Sequence, residues 1–145
     1  MALNNNNPVE QVVEQELRTA GLRVTPQRRA VLACLLGDES HPTAQEIYDR
    51  LAVDVPGISF ATVYNTLSAL TRAGRVKPLP TTGATRYDPN ANPHHHAICD
   101  ACGAVWDVPA TKEAPLPSLG SFEIHRVERT YRGLCAACRS HAGSA

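Results

Sequence analysis

Two Cys-x-x-Cys pairs, Cys99-Asp100-Ala101-Cys102 and Cys135-Ala136-Ala137-Cys138, constrain this chain more than any other feature. A histidine triplet, His94-His95-His96, directly precedes the first pair. Two such turns can converge four thiolates on one tetrahedral zinc with bonds of about 2.3 Å. Disulfides across the pairs would suit a secreted protein, but the chain opens Met1-Ala2-Leu3 and then four asparagines, with no apolar signal segment. A thioredoxin-like redox role needs one pair on a strand-to-helix turn, whereas here two pairs recur 33 residues apart. Structural Zn(2+) on Cys99, Cys102, Cys135 and Cys138 is therefore expected. The fifth cysteine, Cys34, sits among periodic apolar neighbours in Ala30-Val31-Leu32-Ala33-Cys34-Leu35-Leu36 and reads as a small core hydrophobe. The triplet points to a second, different site.

A length of 145 residues with 43% apolar and 19% charged content fits one medium domain or two small ones of a cytoplasmic protein. No apolar stretch approaches the roughly twenty residues that cross a bilayer, so no membrane partner is expected. The net charge of zero makes no case for nucleic acid, but the distribution of charge does. Between Asp54 and Asp88 no acidic residue accompanies Arg72, Arg75, Lys77 and Arg86, and between Glu16 and Asp38 none accompanies Arg18, Arg23, Arg28 and Arg29. A neutral chain with two acid-free basic windows can present one positive face.

Residues 1–7 read as a disordered N-terminus, because four asparagines bury nothing. A helix over Pro8–Thr19 carries Val9, Val12, Val13 and Leu17 on one face. Thr25-Pro26, an N-cap followed by proline at the first helical position, opens a second helix to Leu36. Thr43-Ala44-Gln45-Glu46 is a capping box that starts a third, and Pro56-Gly57 breaks it. Ser59 caps a fourth over Phe60–Ala73, with Val63, Leu67 and Leu70 inward and Thr62, Tyr64, Asn65, Ser68 and Arg72 outward. Val76–Leu79 and Thr85–Asp88 read as a hairpin turning at Thr82-Gly83.

Helices ending in one with a polar outer face, followed by a basic hairpin, form a winged helix-turn-helix over residues 8–88. In that arrangement Tyr64 and Asn65, flanked by Thr62, are candidates for base contact in duplex DNA, and Arg23, Arg28, Arg29 and Lys77 for phosphate contact. The competing reading is a generic helical domain whose basic residues are merely solvated.

The composition changes over Pro89-Asn90-Ala91-Asn92-Pro93, a stretch that reads as a hinge. Residues 94–140 then form a second domain and 141–145 a flexible tail. His94–Cys99 reads as a strand whose period of two sends His94 and His96 to one face, about 7 Å apart along the strand, where they can serve one metal. Ala104–Val108, carrying Asp107, and Phe122–Glu128 are further strands. Residues 109–117 hold too many prolines for a long helix. Such short strands around a zinc stitch bury little alone, so a homodimer is expected, and a two-fold dimer presents paired recognition helices to palindromic DNA.

Gly21-Leu22-Arg23-Val24-Thr25-Pro26-Gln27-Arg28, His41-Pro42-Thr43-Ala44, Ala61-Thr62-Val63-Tyr64-Asn65-Thr66-Leu67, Arg86-Tyr87-Asp88, His94-His95-His96-Ala97-Ile98-Cys99-Asp100-Ala101-Cys102-Gly103 and the closing Cys-x-x-Cys occur here in one order. Together they resemble the ferric uptake regulator (Fur) family of bacterial metal-dependent repressors, over roughly residues 10–140. The resemblance implies an α+β architecture: an N-terminal winged helix-turn-helix, then a small α/β dimerisation domain with a four-cysteine zinc site. It also implies a regulatory Fe(2+) or Mn(2+) held between the domains by His41, Asp88, His94, His96 and Asp107. Aspartate as the last ligand matches the peroxide-sensing branch, in which His41 and His94 would be the oxidation targets and hydrogen peroxide the signal. The alternative is an iron- or manganese-responsive repressor of metal uptake.

Three imidazoles and two carboxylates without a thiolate suit Mn(II) or Fe(II) better than Cu(I). Two histidines and a carboxylate are also the layout of non-haem iron oxygenases, but five protein ligands leave little room for substrate and no acid-base pair stands beside them, so an enzyme is not expected. His95, on the other face of its strand, reads as solvent-exposed or a weak extra ligand. Many family members have a further site on a histidine shortly before the third cysteine; His125 lies too early in the chain to match it. The segment after Asp107 is shorter than usual and proline-rich, which reduces the family's usual helix there to one turn at Leu116–Leu119.

Overall fold

The computed structural model describes residues 7–81, 83–90, 92–110 and 115–142. The expectations placed on residues 1–6, Thr82, Ala91 in the hinge, 111–114 and 143–145 lie outside the described residues. The chain divides into two compact units, Met1–Ala91 and Asn92–Ala145.

The first unit contains α1 (Pro8–Thr19), α2 (Pro26–Leu35), α3 (Ala44–Ala52) and α4 (Phe60–Arg72), followed by β1 (Lys77–Leu79) and β2 (Arg86–Asp88). Its helix starts are set by side chains that accept otherwise orphaned amides. Thr25 accepts from Arg28 and Ser59 from Thr62, while Thr43 and Glu46 form the reciprocal capping box. Asn7, expected within the disordered stretch, is instead the N-cap of α1, its side chain accepting the Val9 N–H.

With the ends fixed, the 3.6-residue period turns apolar stripes toward one core. Val13 and Leu17 from α1, Val31, Leu32 and Leu35 from α2, Ile47 from α3, and Val63, Leu67 and Leu70 from α4 meet there, joined by Val76 and Tyr87 from the wing. Each fully buried Leu contributes about 1.5–3 kcal/mol of transfer free energy. Cys34 is half-buried and packs against this cluster, in keeping with a small hydrophobe. The wing is antiparallel, with Lys77 opposite Asp88 and Leu79 opposite Arg86.

The second unit is a three-stranded sheet ordered β4-β3-β5, with β3 His94–Cys99, β4 Val105–Pro109 and β5 Thr130–Gly133, closed by α5 (Ala136–Ala142). Strand β3 is antiparallel to β4 and parallel to β5. Here two expectations fail. Phe122–Glu128 is not a strand, and Leu116–Leu119 is not a helical turn; no regular element occurs among the described residues from 115 to 129. The third strand lies further along because Gly133 pairs with Cys99, so the residues that lead into Cys135 occupy the free edge of β3. Without a ladder partner, the alternating pattern around Phe122 and Ile124 cannot form a strand, and Pro115 and Pro117 deny the preceding segment its helical amides. The closing helix α5 was not anticipated and extends to Ala142, within the expected tail. No described helix is long and apolar enough to cross a membrane.

Candidate metal centres

The four cysteines of the two pairs come together in the second unit, every sulfur within 4.8 Å of the others. A tetrahedral zinc with bonds of about 2.3 Å sets its sulfurs about 3.8 Å apart, and Cys102 Sγ stands 3.9 Å from Cys135 Sγ. Each pair sits on a turn that aims both thiols inward. In the first, the Gly103 N–H donates to the Cys99 carbonyl, with Gly103 at φ +75°, a conformation that glycine adopts without penalty. In the second, Cys135 directly precedes α5 and Cys138 lies in its first turn. The Cys135 N–H, 3.4 Å from Cys99 Sγ, and the Cys102 N–H hold the Cys99 thiol down to about 6. Hydrogen bonds from the Cys138 thiol to the Cys135 and Cys99 sulfurs, with burial, push it up to about 12. One thiolate is thus ready and another is held protonated until a cation arrives, a set suited to zinc.

Within the first unit, His41 and Asp88 are each 1% exposed. They are brought together by strand pairing: Thr43 forms an antiparallel bridge with Arg86, and the Tyr87 N–H donates to the Pro42 carbonyl at 3.0 Å. In that register, two residues back on one side and two forward on the other, His41 faces Asp88, and His41 Nε2 lies 3.8 Å from Asp88 Oδ2. The other oxygen, Oδ1, accepts the Asn90 N–H at 2.9 Å. A carboxylate this far from water needs positive charge nearby. The proximity of His41 to Asp88 follows from the bridge alone, a pairing no sequence period reveals.

Within the second unit, His96 pairs directly with Asp107 across β3 and β4, and His94 sits diagonally from it. His94 Nε2 and His96 Nε2 lie 3.2 and 3.4 Å from the same oxygen, Asp107 Oδ1. The His94 ring fixes its tautomer: Nδ1 is 2.6 Å from the Asn92 carbonyl, which only accepts, so Nδ1 carries the proton. The Nε2 of a neutral ring then turns a lone pair toward a carboxylate oxygen, and two acceptors at that range require a cation or a second proton. A divalent ion with bonds of about 2.1 Å fits such a separation. His95 corrects its expectation. It is 4% exposed and its Nδ1 accepts the Arg129 N–H at 3.1 Å, so it serves to tie down the strand's approach rather than facing solvent. His125 is exposed, 3.9 Å from Glu123.

The residues expected at DNA divide into two groups. Tyr64 and Asn65 are exposed on α4, and Tyr64 stacks on Phe60 with ring centroids 6.4 Å apart, while Phe60 meets the edge of Tyr48 at 6.1 Å. Arg23 is exposed and Lys77 half-buried on the wing. Others have internal engagements as well: Arg28 Nη1 donates to the Arg23 carbonyl at 2.8 Å, Arg29 Nη1 lies 3.3 Å from Glu14 Oε1, and the Thr62 hydroxyl is 3.0 Å from Ser59 Oγ at the helix cap. Burial, with Tyr64 nearby, raises the Tyr87 phenol above its ordinary value.

The model of the ferric uptake regulator family matches residues 19–115. The peroxide-responsive repressor PerR of Staphylococcus aureus is 40% identical over 131 residues, covering 85% of this chain and 86% of that protein. Among solved structures, the ferric uptake regulator Fur of Helicobacter pylori, described as having three functional metal binding sites, superposes with a TM-score of 0.66 at 21% identity over 90% of this chain and 91% of that one, a likeness of fold. The PerR of Streptococcus pyogenes, described in terms of peroxide sensing and gene regulation, gives 0.51 at 26% identity over 90% and 92%. By the extent of these matches and by its four-cysteine cluster, the chain belongs to the ferric uptake regulator family of metal-responsive regulators.

Proposed function

We propose that this protein is a cytoplasmic, homodimeric repressor that binds palindromic operator DNA when Fe(II) or Mn(II) is held jointly by His41 and Asp88 from the first unit and His94, His96 and Asp107 from the second. In this reading, peroxide is the signal that releases the operator. The observation that carries it is the geometry at Asp107, where two imidazole nitrogens meet one aspartate oxygen without any thiolate. Similarity to a peroxide-responsive repressor at 40% identity supports the same reading. Support for the dimer comes from one sheet face of the second unit, where Trp106 and Tyr131, both in register with Ala97, are 46% and 50% exposed, with Leu134, just past β5, 45% exposed beside them, an apolar area suited to a second copy.

The chain's own residues supply the coupling. His41 and Asp88 are fixed by pairing next to the wing, and His94, His96 and Asp107 by a ladder that also ends at the zinc turn. An ion that needs donors from both units restricts the angle between them, and its binding free energy becomes a preference for one separation of recognition helices. A bound ferrous ion would supply chemistry the residues themselves lack, the one-electron reduction of peroxide, with the peroxide as the oxidant for the imidazoles that hold the ion. His41 and His94 are the proposed targets, and loss of either donor removes the clasp.

The test uses a duplex selected from a random pool by the Mn(II)-loaded protein. Binding is measured with Fe(II) and separately with Mn(II), before and after peroxide, followed by mass spectrometry of the peptides holding His41 and His94. Release accompanied by one added oxygen only in the iron sample is the expected result. Release without added oxygen would identify a plain iron- or manganese-responsive repressor, and failure to bind duplex DNA under either metal would overturn the repressor reading.

A further inference from the structure

Arg86 lies in the acid-free basic window, on strand β2 of the wing. Its side chain turns inward, with 18% exposed. Its Nη1 donates to the His41 carbonyl at 3.1 Å and stands 3.6 Å from Glu46 Oε2. Glu46 Oε2 also accepts the Thr43 N–H at 3.1 Å, closing the capping box of α3. One guanidinium therefore ties together the wing, the start of α3 and the backbone of His41.

That backbone is unusual. His41 has φ +53°, the one non-glycine residue with positive φ among those described. Histidine enters the left-handed region more readily than bulkier or β-branched residues, yet it stays there only when its surroundings determine it. The Thr43–Arg86 bridge and the Tyr87 N–H on the Pro42 carbonyl also hold the segment, and both act after His41 in the chain. The Arg86 guanidinium grips the carbonyl of His41 itself.

We propose that Arg86 is a positioning residue for the regulatory metal: held by Glu46, it locks the His41 carbonyl so that the left-handed backbone keeps the imidazole facing Asp88. This rests on the reading of His41 as a metal ligand. The pairing has a directional consequence. Glu46 lies in the first turn of α3, the first helix of the helix-turn-helix, so a change at His41 reaches the DNA-reading element through one carbonyl, one guanidinium and one carboxylate.

The experiment uses the full-length, zinc-loaded protein and Mn(II) as the probe, with Mn(II) affinity and bound-Mn(II) line shape read by electron paramagnetic resonance, and zinc content and far-UV circular dichroism read alongside. Arg86→Met, which keeps the apolar stem, is expected to weaken Mn(II) by about 10- to 100-fold, the range for lost partners of metal ligands, and to broaden the bound signal while zinc is retained. Arg86→Lys should recover part of the affinity. In the double variant with His41→Ala, Arg86→Met should add little further loss, because both act through one ligand. Wild-type Mn(II) affinity in a folded Arg86→Met protein, or fully additive losses in the double variant, would overturn the proposal alone. Unchanged Mn(II) affinity in His41→Ala would overturn the ligand reading and the proposal with it. If Arg86→Met loses zinc or helix content, Glu46→Gln decides, since it keeps an acceptor for the cap and removes the charge that orients Arg86: weakened Mn(II) binding supports the proposal and unchanged binding overturns it.

Discussion

Cys99 and Cys138 carry opposite perturbations within one four-sulfur cluster, and the contrast makes zinc uptake pH-dependent in a defined direction. Cys99, held to about 6 by the Cys135 and Cys102 amides, is largely thiolate at neutral pH and brings no proton to the site. Cys138, pushed to about 12 by its sulfur neighbours, is protonated and must release a proton to bind. Zinc affinity is therefore expected to rise at least about tenfold per pH unit around neutrality, and to fall more steeply below pH 6 as Cys99 also protonates. Competition against a chelator of known affinity from pH 5.5 to 8 measures it; a flat profile would remove the argument. These cysteines were legible in the sequence because the Cys-x-x-Cys spacing itself specifies the turn. His95 was not: alternation placed it away from His94 and His96, but its burial depends on Arg129, 34 residues on, reaching back to it. Arg29 is similar, since its pairing with Glu14 depends on how α1 crosses α2.

At the scale of elements, local chemistry was most readable where a side chain completes its own backbone. The four helices of the first unit begin at proline or just after Thr43 and Ser59, as capping and proline placement predict, because those signals act within three or four residues. The capping box of α3 can be tested directly. Thr43→Ala removes the acceptor for the Glu46 N–H and is expected to destabilise the unit by about 1 kcal/mol, with an upper value near 2 kcal/mol. Urea denaturation followed by circular dichroism should show a lower midpoint at unchanged slope, and a loss below about 0.3 kcal/mol would mean that water replaces the cap. The strand predicted at Phe122–Glu128 failed for the opposite reason. A strand is completed by its partner, and β3 had already given its free edge to Thr130–Gly133, the residues that deliver Cys135 to the zinc turn. The zinc stitch thus sets which segment joins the sheet, a constraint that hydrophobic alternation does not contain.

For the whole molecule, the proposed function makes the metal and the operator two ligands of one equilibrium, and such ligands must act on each other equally. If Mn(II) on both protomers tightens operator binding by some factor, the operator must tighten Mn(II) binding by the same factor taken as the product over the dimer's two sites, its square root at each, and couplings of this kind commonly amount to about 5- to 150-fold. His96→Ala separates this linkage from folding. His96 pairs with Asp107 in the ladder and points Nε2 at its carboxylate, so its loss removes a donor, while the four-cysteine cluster at the far end of β3 keeps its sulfurs. Operator affinity should then become independent of Mn(II), with zinc content and far-UV circular dichroism unchanged. The decisive comparison is quantitative: operator titrations at zero and saturating Mn(II), set beside Mn(II) titrations with and without saturating duplex whose change is multiplied over the two sites of the dimer, should give one factor in the wild type and unity for both in His96→Ala. Two unequal factors in the wild type would mean that Mn(II) also acts somewhere outside this equilibrium. A His96→Ala protein that still responds to Mn(II) would mean that the ion governing DNA is not the one held at Asp107.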